Sequence, residues 1–480
     1  MKITWKENGG NGTKLVLTDG KNYASSPLAH DLQEILKKDT AFTGKVGNVR
    51  TYSQLVDGQV EKLIIAGVAD LDQDSYKLRK VLATATAEAA KEKVETLWVP
   101  LDQAPEGFSL DHLAMKTAEM TQLAGYLFED YKEKPKDQSI ETVLITGSSL
   151  EDAVHRGTIL GAATLHARNL VNHPANIMTP AKLAENAVET GAASGFEVTI
   201  HDQNAIEDLK MPAYMEVAKA SINKPHLIVM DYKGNPGQPE DILGLVGKGL
   251  TFDTGGYSLK PRNSMLDMKS DMGGSAAVIG AMKAIAEAGL KVNVTAVVAA
   301  CENMLDGTAY RPGDIIQSRG GKSIYIKSTD AEGRLTLVDA VDYVIKDKKA
   351  SRVVDIATLT GACLHALGNT TTGAVTNDQA FYDQVAKAAD LAEERIWLMP
   401  SHPEFKALIK HHEADLINAT ATAGMITAGL FIGEFVGDTP WVHMDIAGTA
   451  WNTKKSAESI GGATGAGVRT LFRLAEGLQG

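Results

Sequence analysis

Apolar positions along this chain follow two alternating rhythms. Short apolar runs, of the kind that fill strands covered on both faces, are separated by stretches in which apolar residues recur every three or four positions. In the first third, the runs at residues 14–18, 61–66, 94–100 and 141–146 predict strands. The periodic stretches near 28–36, 75–91 and 110–128 predict helices. Residues 131–139 (YKEKPKDQS) are polar, charged and broken by a proline, which predicts a surface loop. A long helical pattern then covers about residues 150–171. Ser148 or Ser149 could cap it, Glu151 and Asp152 suit its first turn, and His173-Pro174 should stop it. Further strands are predicted at 196–201, 226–232, 242–247, 292–300, 323–326, 352–357 and 442–445, with helices at 275–287, 335–346 and 402–416 between them. This alternation predicts α/β architecture. A smaller α/β domain would occupy residues 1–148, a linking helix 149–172, and a larger α/β domain with a mixed, largely parallel central sheet 173–480.

Composition narrows the class. The 480 residues are 44% apolar and 22% charged, ordinary globular usage that disfavours a mainly disordered chain. Lys plus Arg number 48 against 60 Asp plus Glu, a net charge of -12 that weighs against nucleic-acid and anionic-lipid partners. Two cysteines, Cys301 and Cys363, cannot make a disulfide framework; both sit in apolar runs and read as inert core thiols. The first ten residues lack a signal-peptide pattern, and no uncharged apolar run approaches the ~20 residues that span a bilayer. The expectation is a cytoplasmic protein without a membrane partner.

Several catalytic templates fail. There is no His-Glu-x-x-His and no Gly-x-Ser-x-Gly, and the Gly320-Gly321-Lys322-Ser323 stretch lacks the first glycine of a phosphate loop, because residue 316 is Ile316. His411-His412-Glu413 offers ligand types without a partner motif and reads as a helix surface. What stands out is charge beside glycine in two stretches. One runs from Gly247-Lys248-Gly249 through Asp253-Thr254-Gly255-Gly256 and Lys260 to Asp271-Met272-Gly273-Gly274; the other is Ser328-Thr329-Asp330-Ala331-Glu332-Gly333-Arg334-Leu335. Lys248 and Asp253 would follow the strand at 242–247, Asp330 and Glu332 the strand at 323–326, and Asp271 would precede the helix at 275–287. Ligands gather at strand carboxyl ends in open α/β sheets, so four carboxylates and an amine would converge if those strands are neighbours. Crowded carboxylates repel one another unless cations sit among them; two divalent ions about 3.5–4 Å apart would balance the charge and could activate a shared water.

Taken singly, each residue also has a plain reading. Asp271 and Asp330 could be helix caps, Glu332 a first-turn partner of the helix dipole, Lys248 and Lys260 solvated lysines, and Asp253 a turn residue. Arg334 at a helix start opposes the dipole, which slightly favours a functional role. Residue types and spacing alone leave these alternatives open.

At these same residues the chain resembles the leucyl aminopeptidase, or cytosol aminopeptidase, family. Thr329-Asp330-Ala331-Glu332-Gly333-Arg334-Leu335 resembles the family signature, Val246–Pro261 a second block and Asp271–Gly274 a third. The likeness extends to Ala167-Arg168-Asn169-Leu170-Val171-Asn172, to Ala357–Ala362 and to His443–Trp451, so it covers essentially residues 165–480. Ser328 and Thr254 depart from the Asn and Ser usual in the family; neither is a metal ligand there.

The resemblance implies a catalytic metallopeptidase domain after a variable amino-terminal α/β domain. It implies a two-metal exopeptidase using Mn2+ or Zn2+, with one metal held by Asp253, Asp330 and Glu332 and the other by Lys248, Asp253, Asp271 and Glu332. Lys260 and Arg334 take the two catalytic positions, with bicarbonate at Arg334 as the implied proton shuttle. The implied side-chain pocket involves Met268, Thr358, Leu359, Gly361 and Ala450, and suits an apolar, Leu-like first residue of a peptide with a free amino terminus. A homohexamer is also implied. Other classes using the same residue types are a two-metal phosphoesterase, a binding protein (some relatives bind DNA, against which the net acidity weighs) and an inactive relative, although all seven motif positions hold competent residues.

Overall fold

The computed structural model describes residues 2–6, 12–19, 34, 36, 38–56, 58–101, 104–133, 140–145, 150–455 and 461–479. The chain divides into two compact units. One comprises residues 1–165 with 453–461, the other 166–452 with 462–480. The division falls inside the helix Glu151–Asn172. The candidate caps Ser148 and Ser149, most of the helix expected near 28–36, and all but 131–133 of the expected loop at 131–139 lie outside the described residues.

The first unit is built on β1 (Lys2–Lys6), β2 (Thr13–Thr18), β3 (Val49–Val56), β4 (Gln59–Gly67), β5 (Thr96–Pro100) and β6 (Glu141–Ile145). They form a sheet in the order β1-β6-β5-β2-β4-β3. All pairings are parallel except that of the edge strand β3 with β4. Helices Ser75–Lys91 and Leu110–Ala124 fall where the apolar periodicity puts them, each with a side-chain cap, Asp74 and Ser109. Strands β1 and β3 escape the apolar pattern because they mix polar with apolar residues at the two edges of the sheet.

The second unit carries β7 (Glu197–His201), β8 (His226–Lys233), β9 (Ile242–Asp253), β10 (Asn293–Asn303), β11 (Ile315–Gln317), β12 (Ser323–Tyr325), β13 (Arg352–Ala357), β14 (Thr371–Thr376), β15 (Arg395–Leu398), β16 (Leu416–Ile417), β17 (Trp441–Asp445), β18 (Trp451–Asn452) and β19 (Gly462–Ala463). Its main sheet has the order β15-β14-β17-β13-β9-β10-β8-β7. The central β17, β13, β9 and β10 are mutually parallel, while β8 and β14 join them antiparallel. Every residue of β10 is buried, as in a strand covered on both faces. Helices Gly273–Glu287 and Gly333–Lys346 carry almost wholly buried sequences; the latter contributes Leu335, Val338 and Val341 to a core shared with Val246 and Val297 of the sheet.

Three expectations are corrected. Lys248 and Asp253 do not follow a strand ending at residue 247; they lie within β9, which runs twelve residues. The strand before Asp330 is not a neighbour of β9 but belongs to a separate small sheet, β11-β12-β16. The helix expected over 402–416 is short, Pro403–Ala407, so His411 and His412 lie outside it, with the His411 ring stacked on Tyr325 at 4.0 Å.

Candidate active site

Strand β9 outruns its neighbour. It pairs with β13 only as far as Gly247, opposite Ile356, and beyond that point keeps β10 alone. Residues 248–253 therefore stand at the carboxyl end of the parallel core although they are still strand. Into the space beyond β13 come the 3-10 turn Met268–Met272, which carries Asp271, and the segment after Ala357, which begins with Thr358. Asp330 and Glu332 arrive on the segment between β12 and the helix Gly333–Lys346. Gly333 is needed there: a Cβ on it would lie 2.3 Å from Lys248 Cε.

The five expected ligands converge. Lys248 Nζ lies 2.7 Å from Asp271 Oδ2 and 2.9 Å from Glu332 Oε1, and donates to the Thr358 carbonyl at 3.0 Å. Thr358 Oγ1 donates to Asp271 Oδ1 at 2.9 Å. Lys260 Nζ bridges Asp253 Oδ2 at 2.8 Å and Asp330 Oδ1 at 2.5 Å. Asp253, Asp330 and Glu332 present ligand oxygens that all lie within 4.8 Å of one another. Asp253, Asp271, Glu332 and Lys248 are buried, whereas Asp330 is exposed.

The charges do not balance. Four carboxylates face two ammonium groups, a formal excess of two negative charges. Burial, and then the Glu332 charge, push the Asp253 carboxyl up to about 6 against the pull of Lys260 and Lys248. Burial also raises Asp271 well above the usual carboxylate range, and burial with Glu332 raises Asp330. Glu332 goes the other way: burial opposes ionisation, but Lys248 and Lys260 outweigh it. Burial disfavours the charged form of both lysines, yet the carboxylates around them raise each above its ordinary value. Glu332 Oε2 is buried without a hydrogen-bond partner among the described residues. An anionic, all-oxygen and amine donor set with an unsatisfied buried oxygen fits a divalent cation.

Arg334 sits in the first turn of its helix, buried, with Nη1 donating to the Asn418 carbonyl at 2.7 Å and Nε without a hydrogen bond among the described residues. Burial lowers its guanidinium to about 10 against the opposing charges of Glu332 and Asp445. Among the expected pocket residues, Thr358 and Ala450 flank Gly273: a Cβ there would lie 3.2 Å from Thr358 Cγ2 and 3.3 Å from Ala450 Cβ. Leu359 and Gly361 continue the Thr358 segment, and Met268 opens the turn that carries Asp271. Cys301 and Cys363 are buried, and burial raises both thiols.

The sequence reading missed the residues that hold these groups in place. Asn303 Nδ2 donates to Asp253 Oδ1 at 2.7 Å and to the Thr329 carbonyl at 3.0 Å, tying the end of β9 to the segment of Asp330. Thr329 Oγ1 donates to the Gly255 carbonyl at 2.6 Å and accepts from Ser258 N, which fixes the loop carrying Lys260. Asn418 Oδ1 accepts from Lys327 N and Ser328 N, and its Nδ2 donates to the Ser328 carbonyl. The available signal was a polar residue ending an apolar strand, as Asn303 ends β10 and Asn418 follows β16.

An acidic centre of this kind, at the carboxyl end of a parallel sheet and threaded by lysines, belongs to the class of metal-dependent hydrolases. The comparisons make the class specific. The catalytic-domain model of the cytosol aminopeptidase family matches residues 165–472, and the amino-terminal-domain model of the same family matches 13–135. The chain belongs to the cytosol aminopeptidase family, and is a metal-dependent aminopeptidase acting on peptides. It is 44% identical to a probable cytosol aminopeptidase of Clostridium tetani over 98% of each chain, and 44% identical to one of Clostridium perfringens over 92% of this chain and 91% of the relative. Among solved structures it resembles the bottromycin maturation enzyme BotP in complex with Mn, with a TM-score of 0.86 and 30% identity over 98% of this chain and 99% of that one. Among the described residues no helix is long and apolar enough to cross a membrane.

Proposed function

We propose that the protein is a two-metal aminopeptidase that releases an apolar, Leu-like residue from peptides with a free amino terminus. The observation that carries this reading is the convergence of Asp253, Asp330 and Glu332 within 4.8 Å, with Lys248 and Asp271 beside them and a buried Glu332 oxygen left unsatisfied. Asp253, Asp330 and Glu332 would hold one divalent ion; Lys248, Asp253, Asp271 and Glu332 would hold the other, Lys248 as the neutral amine that a nearby dication favours. Mn2+ and Zn2+ both accept such donors, and when bound the pair would supply Lewis acidity and an activated water.

The chain's own groups supply the rest. Lys260, on a loop held by Thr329 and paired with Asp253, would lend its ammonium to the oxyanion that develops on the scissile carbonyl. Arg334, fixed through Nη1 and with Nε unengaged among the described residues, offers a fork suited to a planar oxyanion such as bicarbonate, which would carry the proton. Met268, Thr358, Leu359, Gly361 and Ala450 would line the pocket for the first side chain, the buried Ala450 leaving room for a branched one. Selection for a free terminus follows from chemistry, since an acylated amine has no lone pair to offer. Family likeness and net acidity support a cytoplasmic homohexamer without nucleic-acid or membrane partners.

The test compares Leu-p-nitroanilide with its N-acetyl form, using protein stripped of metal and then reconstituted with Mn2+ or Zn2+. Release from the free-amine substrate alone, saturating at two ions per chain, is the expected result. Equal release from both substrates, or saturation at a single ion, contradicts the reading.

A further inference from the structure

Strand β17 ends at Asp445, whose side chain is fully buried and takes no part in the acidic cluster described above. Its Oδ1 accepts from Leu359 N at 3.2 Å, Thr360 N at 3.4 Å and Ala447 N at 3.0 Å. Its Oδ2 accepts from Thr360 Oγ1 at 2.6 Å. One carboxylate therefore pins two separate segments, 358–361 after β13 and 447–450 after β17. The two strands are parallel neighbours with Ala357 opposite Asp445, so both segments leave the sheet at the same level. Thr360 Oγ1 in turn accepts from Cys363 N and caps the helix Gly361–Leu367.

These two segments carry Thr358, Leu359, Gly361 and Ala450, four of the five residues assigned to the side-chain pocket; the fifth, Met268, lies on the turn Met268–Met272. Backbone segments that leave a sheet edge are mobile unless their polar groups are satisfied, and a charged acceptor with several N–H donors holds them strongly. The first segment also reaches the cluster, because the Thr358 carbonyl and hydroxyl engage Lys248 and Asp271. We propose that Asp445 is a positioning residue for substrate selection: by clamping both walls it sets the shape of the pocket that receives the first side chain. The inference rests on the pocket assignment in the proposed function, which it deepens.

The experiment measures kcat and KM for Leu-p-nitroanilide and Ala-p-nitroanilide, together with bound metal, in the full-length wild type, Asp445→Ala, Asp445→Asn and Thr360→Val. Asp445→Ala frees both walls, and the Leu-to-Ala ratio of kcat/KM is expected to fall about tenfold, the size of a lost pocket fit, chiefly through KM for the Leu substrate. Bound metal should stay at the wild-type level. Asp445→Asn keeps an oxygen for the backbone donors and can turn its amide to the Thr360 hydroxyl, so it should restore the ratio to within about twofold. Thr360→Val removes one link and should give a smaller fall. An unmoved ratio in Asp445→Ala, or an equal loss of kcat on both substrates, overturns the inference, as does an Asn variant no better than the Ala variant. Should Asp445→Ala fail to fold, an unmoved ratio in Thr360→Val overturns it equally. A wild type that cleaves neither substrate sinks the proposed function and this inference together, whereas normal cleavage with an unmoved ratio sinks this inference alone.

Discussion

Lys248 and Asp253 lie five positions apart on one strand and nevertheless face the same cluster, because β9 carries a bulge between them. An odd separation sends side chains to opposite faces of a regular strand. In β9, Leu250 pairs with Cys301 and Phe252 with Glu302, so Thr251 has no partner and the alternation is shifted by one. Removing Thr251 would leave Lys248 and Asp253 four positions apart on a regular strand, still on one face, with Asp253 still opposite Asn303. A Thr251 deletion that folds by circular dichroism is therefore expected to retain metal uptake by elemental analysis; loss of metal in the folded deletion variant would show that the bulge does more than set the face.

Lys260 touches two of the carboxylates but is assigned to the oxyanion. Lys260→Ala should lower kcat by about 10²–10³, the usual effect of losing one such donor, while bound metal stays at the wild-type level. Near-normal turnover in that variant would remove the lysine from the mechanism.

Glu332 carries a buried oxygen without a hydrogen bond among the described residues, and it is assigned to both ions. Glu332→Gln keeps the shape and removes the charge, so it should lower metal stoichiometry as well as rate. Asp253→Asn should behave in the same way. Isothermal titration with Mn2+ reads the loss directly, and an unchanged stoichiometry would contradict the bridging assignment.

Asp339 supplies a pH dependence remote from the cluster. It is fully buried on the helix Gly333–Lys346, accepts from Arg319 N at 2.8 Å and Tyr214 N at 3.0 Å, and burial raises its carboxyl to about 7. Between the ordinary carboxylate value near about 4 and that raised value, the folded chain holds a proton that the unfolded chain has released. Stability from this group is therefore present below that window and declines as pH rises through it. Asp339→Asn should flatten the slope of unfolding free energy between about pH 4 and 7, measured by urea titration at several pH values.

Much of this architecture was legible in the sequence because the second unit is built of strands covered on both faces. β13 and the ends of β8, β10 and β17 fall within a few residues of the apolar runs. Strands β14 and β15 were not legible: threonines and a glycine break the apolar run of β14, and β15 is only four residues long at the sheet edge. The chemistry-bearing residues could be found because acidic side chains beside glycine are unusual near apolar strands. What brings them together was hidden, since a one-residue bulge, a strand that outruns its neighbour and a separate three-stranded sheet leave no periodic trace. Asn303, Asn418 and Asp445 act through hydrogen bonds to backbone far away in sequence, which no local pattern announces.

The reach of those hydrogen bonds bears on when the enzyme becomes dangerous to its surroundings. Lys248 is held by a carbonyl 110 residues downstream, and Arg334 by one 84 residues downstream. A nascent chain that has left the ribosome as far as residue 334 already carries every acidic group of the centre, but neither Asn418 nor Asp445 has yet been synthesised. Because such long-range closure comes late in folding, the growing polypeptide stays inert toward the free amino termini around it until most of the second unit exists.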